Sequence, residues 1–251
     1  MSGLYEEFRD RLEQEHGIAI ATLVSGSEQI GAKMLIYPDA TTHGTLGSQE
    51  LDQQVVGDAT QAIWTSKAAL HQYSLTQPDA QSVEVFIEGF PPPPELIIVG
   101  AGHIAIPLTT FAKTLNYRVV VIDARAAFAT PERFPHADEL IVAWPDEILT
   151  KRPLYPSTSI AVLTHDPKFD EPTLKVLLER HSGYIGAIGS RKTSAERGER
   201  LKQQGLNDEQ LQRIYGPIGL DIGATSPEEI ALSIITQIVA YRHGKIKQQE
   251  R

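Results

Sequence analysis

Leu96-Ile97-Ile98-Val99-Gly100-Ala101-Gly102-His103-Ile104-Ala105 is the stretch from which the rest of the chain can be read. A short apolar strand feeds a glycine-rich turn, and apolar residues then recur at helical spacing at Ile104, Leu108, Phe111 and Leu115. A second strand, Arg118 to Ile122, ends at Asp123. That places the acid at the distance of roughly 20 residues that a ribose-binding carboxylate keeps in a dinucleotide-binding βαβ unit. Each small residue has a physical task. Gly100 permits the tight turn, Gly102 lets backbone approach a pyrophosphate, and Ala105 lets helix pack on strand. The helix N-terminus, with unpaired N–H groups and the positive end of the helix dipole, offers a seat for phosphate oxygens.

A chain of 251 residues accommodates one large or two modest domains. It carries 23 Lys and Arg against 32 Asp and Glu, a net charge of −9. Such a chain has no global attraction for nucleic acid or anionic lipid, so any anion must be held by local devices. It contains no cysteine, which excludes disulfides, thiolate nucleophiles, cysteine zinc sites and a protein-bound persulfide. Glu6, Glu7 and Asp10 in an amphipathic N-terminal pattern are wrong for a signal peptide. The longest apolar run, Ile230 to Tyr241, is too short to span a bilayer. The expectation is a cytoplasmic protein with neither nucleic acid nor membrane among its partners.

Pro91-Pro92-Pro93-Pro94 favours a stiff extended segment without backbone donors, so neither helix nor central strand runs through it. It divides a small α+β domain, 1–90, from a nucleotide-binding domain, 95–251. In the first part, helices are expected at Leu4 to His16 and Leu51 to Leu70. Strands are expected at Ile18 to Val24, Ala32 to Tyr37, Thr41 to Leu46 and Val83 to Ile87, with a polar turn at Ser25 to Gln29. In the second part, strands Leu96–Val99, Arg118–Ile122, Leu140–Val142, Ser159–Leu163 and Tyr184–Ala187 alternate with helical patterns. The fold class is therefore α/β, a Rossmann-like doubly wound parallel sheet preceded by a smaller α+β domain. Thr130-Pro131-Glu132, Asp170-Glu171-Pro172 and Ser226-Pro227-Glu228-Glu229 read as helix starts.

Two further glycine clusters stand out. In Gly186-Ala187-Ile188-Gly189-Ser190-Arg191-Lys192, a strand ends in glycines and two cations open the next helix. Cations there oppose the dipole unless an anion lies between them and the N–H groups; an ordinary turn with solvated charges is the equal alternative. Gly216 to Gly223 surrounds Asp221 and reads either as a close-approach loop or as a compact connector. His103, beside Gly102, is the best candidate for a catalytic acid or base, against a plain solvated first-turn residue. Asp123 with Arg125 suits the ribose and base of a nucleotide, with a strand-end ion pair as the alternative. No two histidines stand at metal-ligand spacing, so no protein metal site is expected.

These motifs, with Phe134-Pro135-His136-Ala137-Asp138, Leu163-Thr164-His165-Asp166, Gly31-Ala32-Lys33-Met34 and Gly44-Thr45-Leu46-Gly47, resemble in order the XdhC/CoxI family of xanthine dehydrogenase accessory proteins. The resemblance implies binding of the molybdenum cofactor, as molybdopterin or its dinucleotide, and delivery to a molybdenum hydroxylase of the xanthine dehydrogenase type. A cysteine desulfurase that adds the terminal sulfur would be a second partner, and a homodimer is compatible with it. On this reading Gly100, Ala101, Gly102, His103, Ile104, Ala105, Asp123 and Arg125 form the phosphate cradle. Gly189, Ser190 and Arg191 add a second anion contact, and Asp221 lines the cleft. The family's usual Gly-Gly-Gly-Cys-Leu-Glu run is here Gly47-Ser48-Gln49-Glu50-Leu51-Asp52, so no cysteine can hold molybdenum or sulfur. The competing reading is an NAD-dependent oxidoreductase, or an NAD-binding regulator without turnover. A binding and transfer protein is preferred to an enzyme, because no hydride-transfer constellation is visible beside the nucleotide motif.

Overall fold

A computed structural model describes residues 3–26, 29–76, 82–181 and 183–246. Ser27 and Glu28 of the expected polar turn lie outside these. The chain divides into two compact units, Met1–Pro93 and Pro94–Arg251.

The first unit contains α1 (Leu4–Glu13), β1 (Ile18–Ser25), β2 (Lys33–Ile36), β3 (Thr42–Gly44), α2 (Gln49–Thr65), β4 (Ala68–Tyr73) and β5 (Val83–Phe90). Its antiparallel sheet has the order β3-β2-β1-β5-β4. Alternation along β1 serves two cores. Ala19, Ala21 and Leu23 pack with Leu51, Val55 and Ile63 of α2, whereas Ile18 turns to Leu4 and Phe8 of α1. The second helix ends at Thr65, short of the expected Leu70. Ser66 takes a left-handed φ of 51°, and the chain returns as the edge strand β4 beside β5. Its apolar residues fitted the helical period, but pairing along β5 prevails over that local signal.

The second unit contains β6 (Glu95–Val99), α3 (Ala105–Thr114), β7 (Arg118–Ile122), β8 (Glu139–Ile141), α4 (Pro145–Lys151), β9 (Ser159–Val162), α5 (Pro167–Arg180), β10 (Ile185–Ala187), α6 (Arg191–Gln203), α7 (Asp208–Gln212), β11 (Ile214–Tyr215) and α8 (Pro227–Arg242). All six strands are parallel, in the order β11-β10-β9-β6-β7-β8. Leu96 to Val99 are fully buried, as a central parallel strand covered on both faces requires. Leu96 and Ile98 face the core built with α3 and α8; Ile97 and Val99 face the core of α4, α5 and α6. Chain order reverses between β6 and β9, so the loops after these strands part there, and ligands of open α/β sheets gather in that crevice.

Two expected helix starts are corrected. Thr130-Pro131-Glu132 opens only a single turn, closed by Arg133 and Phe134 N–H groups on the Thr130 carbonyl. Pro135 follows and disfavours helix at the residue before it. The helix expected from Asp170 begins earlier: Asp166 caps it through the Lys168 N–H (3.0 Å), and Pro167 takes the first position. Pro172 therefore falls inside the helix, and Asp170 is left buried without a capping role. Among the described residues no helix is long and apolar enough to cross a membrane.

His181, at the end of α5, is 3 % exposed and neither ring nitrogen meets a partner at hydrogen-bonding geometry. Burial, only partly offset by the Thr158 and Tyr184 backbone, lowers its pKa from 6.5 to about 4. The folded state thus holds His181 neutral where the unfolded chain takes up a proton. Its contribution is complete above pH 6.5 and is lost as pH falls toward 4, a loss of about 3 kcal/mol. Urea unfolding of the native protein and His181→Gln at pH 7 and pH 4.5 checks this. The native protein should lose more stability than the variant; parallel losses would contradict it.

Candidate functional site

The turn after β6 is built by a close approach. Gly100 has φ of +102°, and its N–H donates to the Ile122 carbonyl at 2.8 Å. A Cβ there would meet Thr164 Cγ2 at 2.6 Å and Thr164 N at 3.0 Å, so backbone conformation and packing both demand glycine. Gly102 differs: a Cβ on it would meet nothing within 4 Å. Its lack of a side chain is not required by the protein's own packing.

Ala101 and Ala105 are buried against the sheet, and Ile104 packs beside them. Helix α3 then starts with Ile104 as its N-cap, without a side-chain cap and without an acid in the first turn. By contrast, α2, α5, α6 and α8 take caps from Ser48, Asp166, Ser190 and Ser226. The N–H groups of Gly102 and His103 find no acceptor among the described residues. An uncapped helix start of positive potential, facing open space at Gly102, suits an anion. His103 is exposed there.

Asp123 is 2 % exposed and accepts from four N–H groups. Ala101 N lies 2.7 Å from Oδ2, Arg125 N 2.9 Å from Oδ1, and the Arg125 guanidinium reaches both oxygens, through Nε at 2.9 Å and Nη2 at 2.7 Å. Burial alone would raise the Asp123 pKa; the Arg125 fork and the two backbone N–H groups outweigh it and hold the carboxylate below its usual value. The acid read from the sequence as a ribose contact therefore already clasps the glycine turn, and a ribose hydroxyl would have to share it.

A buried polar chain continues to the next strand ends. Thr164, whose methyl meets Gly100, donates to Asp170, and Asp170 lies 3.8 Å from Arg197 of α6. Burial raises the Asp170 pKa against the Thr164 hydrogen bond and the Arg197 charge. Arg197 also donates to the Ile188 carbonyl, and its Nη2 would lie 3.3 Å from a Cβ on Gly189. The turns after β6, β9 and β10 are thus linked through the side chains of Thr164, Asp170 and Arg197. Thr164 lay within a quoted motif, whereas Asp170 and Arg197 carried no signal beyond ordinary helix chemistry.

Ser190 caps α6, accepting from Thr193 N at 3.1 Å. Arg191 is exposed, and Lys192 stands 3.9 Å from Glu196 on its own helix. Asp221 is exposed on a loop pinned by Gly219, whose N–H donates to Gln237 at 2.8 Å, and by Leu220, whose N–H donates to the Ser233 carbonyl at 3.2 Å. Gly189, Ser190 and Arg191 follow β10 and belong to the same carboxyl end of the sheet as Gly100 and Asp123. A cavity of about 440 Å³ lies elsewhere, between α6, α7 and β11, lined by Ser194, Glu199, Lys202 and Tyr215 and by none of the cradle residues. Among the described residues no three His, Asp or Glu side chains gather to hold a metal ion.

Two glycine variants separate folding from binding. Gly100→Ala should destabilise the protein measurably in thermal melts, because it strains a positive φ and overlaps Thr164. Gly102→Val should melt like the native protein and fail only with ligand. Equal melting of all three would contradict this geometry. Asp123→Asn puts an amide N–H among donors and leaves Arg125 without its charge partner. A fully buried pair broken in this way costs about 3–5 kcal/mol. Arg125 is 41 % exposed, so a loss of about 2 kcal/mol is expected in urea unfolding.

The comparisons agree with this architecture. A model of the XdhC Rossmann domain matches residues 96–238, and one of the XdhC and CoxI family matches residues 11–74. A Bacillus subtilis protein named as a probable xanthine dehydrogenase subunit is 36% identical over 162 residues, 64% of this chain and 47% of that protein. The molybdenum cofactor insertion chaperone PaoD of Escherichia coli is 29% identical over 85 residues, 34% of this chain and 27% of the chaperone. The crystal structure of a xanthine dehydrogenase from Bacillus halodurans aligns over 98% of this chain and 97% of its own, with a TM-score of 0.55 and 24% identity, and bears on the fold alone. The chain spans less than half the length of these two curated relatives. With a family model matching more than half its length, the chain belongs to the XdhC/CoxI family.

Proposed function

We propose that this chain holds the molybdenum cofactor as cargo, as molybdopterin or its dinucleotide, and passes it to a molybdenum hydroxylase of the xanthine dehydrogenase type. The observation that carries the reading is the uncapped start of α3, with Gly102 opening on free space and no acid in the first turn. Such a start binds phosphoryl oxygens through N–H groups and the helix dipole. The relative named as a molybdenum cofactor insertion chaperone supports the cargo, and the relative named for xanthine dehydrogenase supports the recipient. The chain's residues bind and release; no bond is made or broken on them. With no cysteine in the sequence, sulfur added to the cargo comes from a separate desulfurase. In this reading Arg125 and Arg191 contribute positive charge around the phosphates, and His103 contacts them as a first-turn side chain. A second reading is supported by the strand order and Asp123, which also suit NAD.

Purification from cells making the cofactor tests the two readings. The native protein should carry molybdenum and an oxidisable fluorescent pterin and raise the activity of an apo-hydroxylase. Gly102→Val should carry at least about tenfold less, a loss of about 1.4 kcal/mol in binding. Retention of NAD instead of pterin, with no effect on the apo-hydroxylase, would contradict the proposal.

A further inference from the structure

The strand-end loops beside the cradle carry a stack of aromatic rings and cations. The Arg125 guanidinium lies 4.4 Å from the Phe128 ring centre and 5.8 Å from that of Phe169. Phe169 stacks on Trp144, with ring centres 4.9 Å apart and planes at 30°. The Lys168 ammonium lies 5.0 Å over the Trp144 ring, and Arg133 lies 5.4 Å over Phe128. These residues come from three separate places, the loops after β7 and β8 and the first turn of α5. All three are at the carboxyl end of the parallel sheet. Phe128 is 38 % and Trp144 37 % exposed, although aromatic rings serving only to pack the loops gain most when fully covered.

Asp123 ties this surface to the phosphate cradle. One carboxylate oxygen takes both Ala101 N–H and the Arg125 guanidinium, so the start of the glycine turn and the first member of the stack share one anchor. Arg125 is thereby fixed between Phe128 and Phe169 and backs the exposed rings, and a π face is the ligand chemistry that matches such rings.

We propose that Phe128 and Trp144, backed by Arg125 and Phe169, seat the planar heteroaromatic ring of a phosphorylated ligand whose phosphates lie at the start of α3. This rests on the cradle reading above and adds the part of the ligand that the cradle does not touch. A pterin and a nucleobase share the required chemistry, a flat, nitrogen-rich ring joined to phosphate. Lys168, long and exposed, occupies the indole face in the free protein and yields it to the ring.

The chain has two tryptophans, Trp64 in α2 and Trp144. In full-length protein carrying Trp64→Phe, Trp144 fluorescence reports directly on the surface. Cytidine 5′-diphosphate and a phosphorylated pterin are titrated as the two ring sources, and inorganic pyrophosphate as the ringless control. At least one ring-bearing compound should quench Trp144 saturably, and the stronger quencher identifies the source. Pyrophosphate should compete without quenching. Phe128→Ala with Trp144→Ala should weaken the ring-bearing ligand about tenfold by calorimetry, within the range for one stacked base, and leave pyrophosphate unchanged. If Trp64→Phe impairs folding, the difference between native protein and Trp144→Phe reads the same signal. Ring-bearing ligands that bind without quenching, or that bind the double variant undiminished, overturn the stacking surface and leave the cradle standing. The same holds if the double variant binds normally but fails only in transfer, which assigns the rings to a docking protein. Failure of all three compounds to bind overturns cradle and surface together.

Discussion

One buried carboxylate organises the Rossmann half of this protein. Asp123 closes β7 and accepts the Ala101 N–H from the neighbouring turn together with three N–H groups of Arg125. A buried charge is tolerable only when fully paired and hydrogen-bonded, so the turn and Arg125 have little freedom while the carboxylate stays ionised. Its lowered pKa keeps it ionised through neutral pH, with the clasp lost only as pH falls below the ordinary aspartate range. The glycine turn is consequently set in place before any ligand arrives. Preorganisation of this kind reduces what a ligand must spend on ordering its site.

The rest of the strand-end surface is held by the same logic at a second carboxylate. Asp170 links Thr164, which touches the Gly100 turn, to Arg197, which reaches the turn after β10. Neither Asp123 nor Asp170 meets bulk water, and both act on backbone placement. The groups left exposed are different ones: His103, Arg191 and the rings of Phe128 and Trp144. Structural charges lie inside, and the groups assigned to the ligand by the proposals above lie outside. In the first unit, Ser48, within the run that departs from the family's pattern, caps α2 through Leu51 N at 3.3 Å.

The legible parts of the chain were those where local pattern and tertiary burial agree. Leu96–Val99, the turn that follows it and Arg118–Ile122 all stand where the sequence pattern put them. The parallel sheet followed from strands and helices alternating along the chain. Elsewhere tertiary pairing overrode the local signal. Ala68 to Leu70, expected to end the second helix, instead open the edge strand β4, and Asp170 looked like a cap but is a buried acceptor. The two-residue strand β11 has too little sequence to carry a period. The surface of Arg125, Phe128, Trp144 and Phe169 was illegible for another reason. Its members come from three loops, and only the fold brings them together.

The central claim is that free amides at the start of α3 grip phosphoryl oxygens. Amide proton and nitrogen shifts of isotope-labelled protein, followed during a pyrophosphate titration, test it most directly. Saturable downfield movement of the Gly102, His103 and Ile104 amide protons, with smaller changes at Ser190 and Arg191, is the predicted result. Unmoved α3 amides, with the largest shifts at α6 or in the first unit, would contradict it.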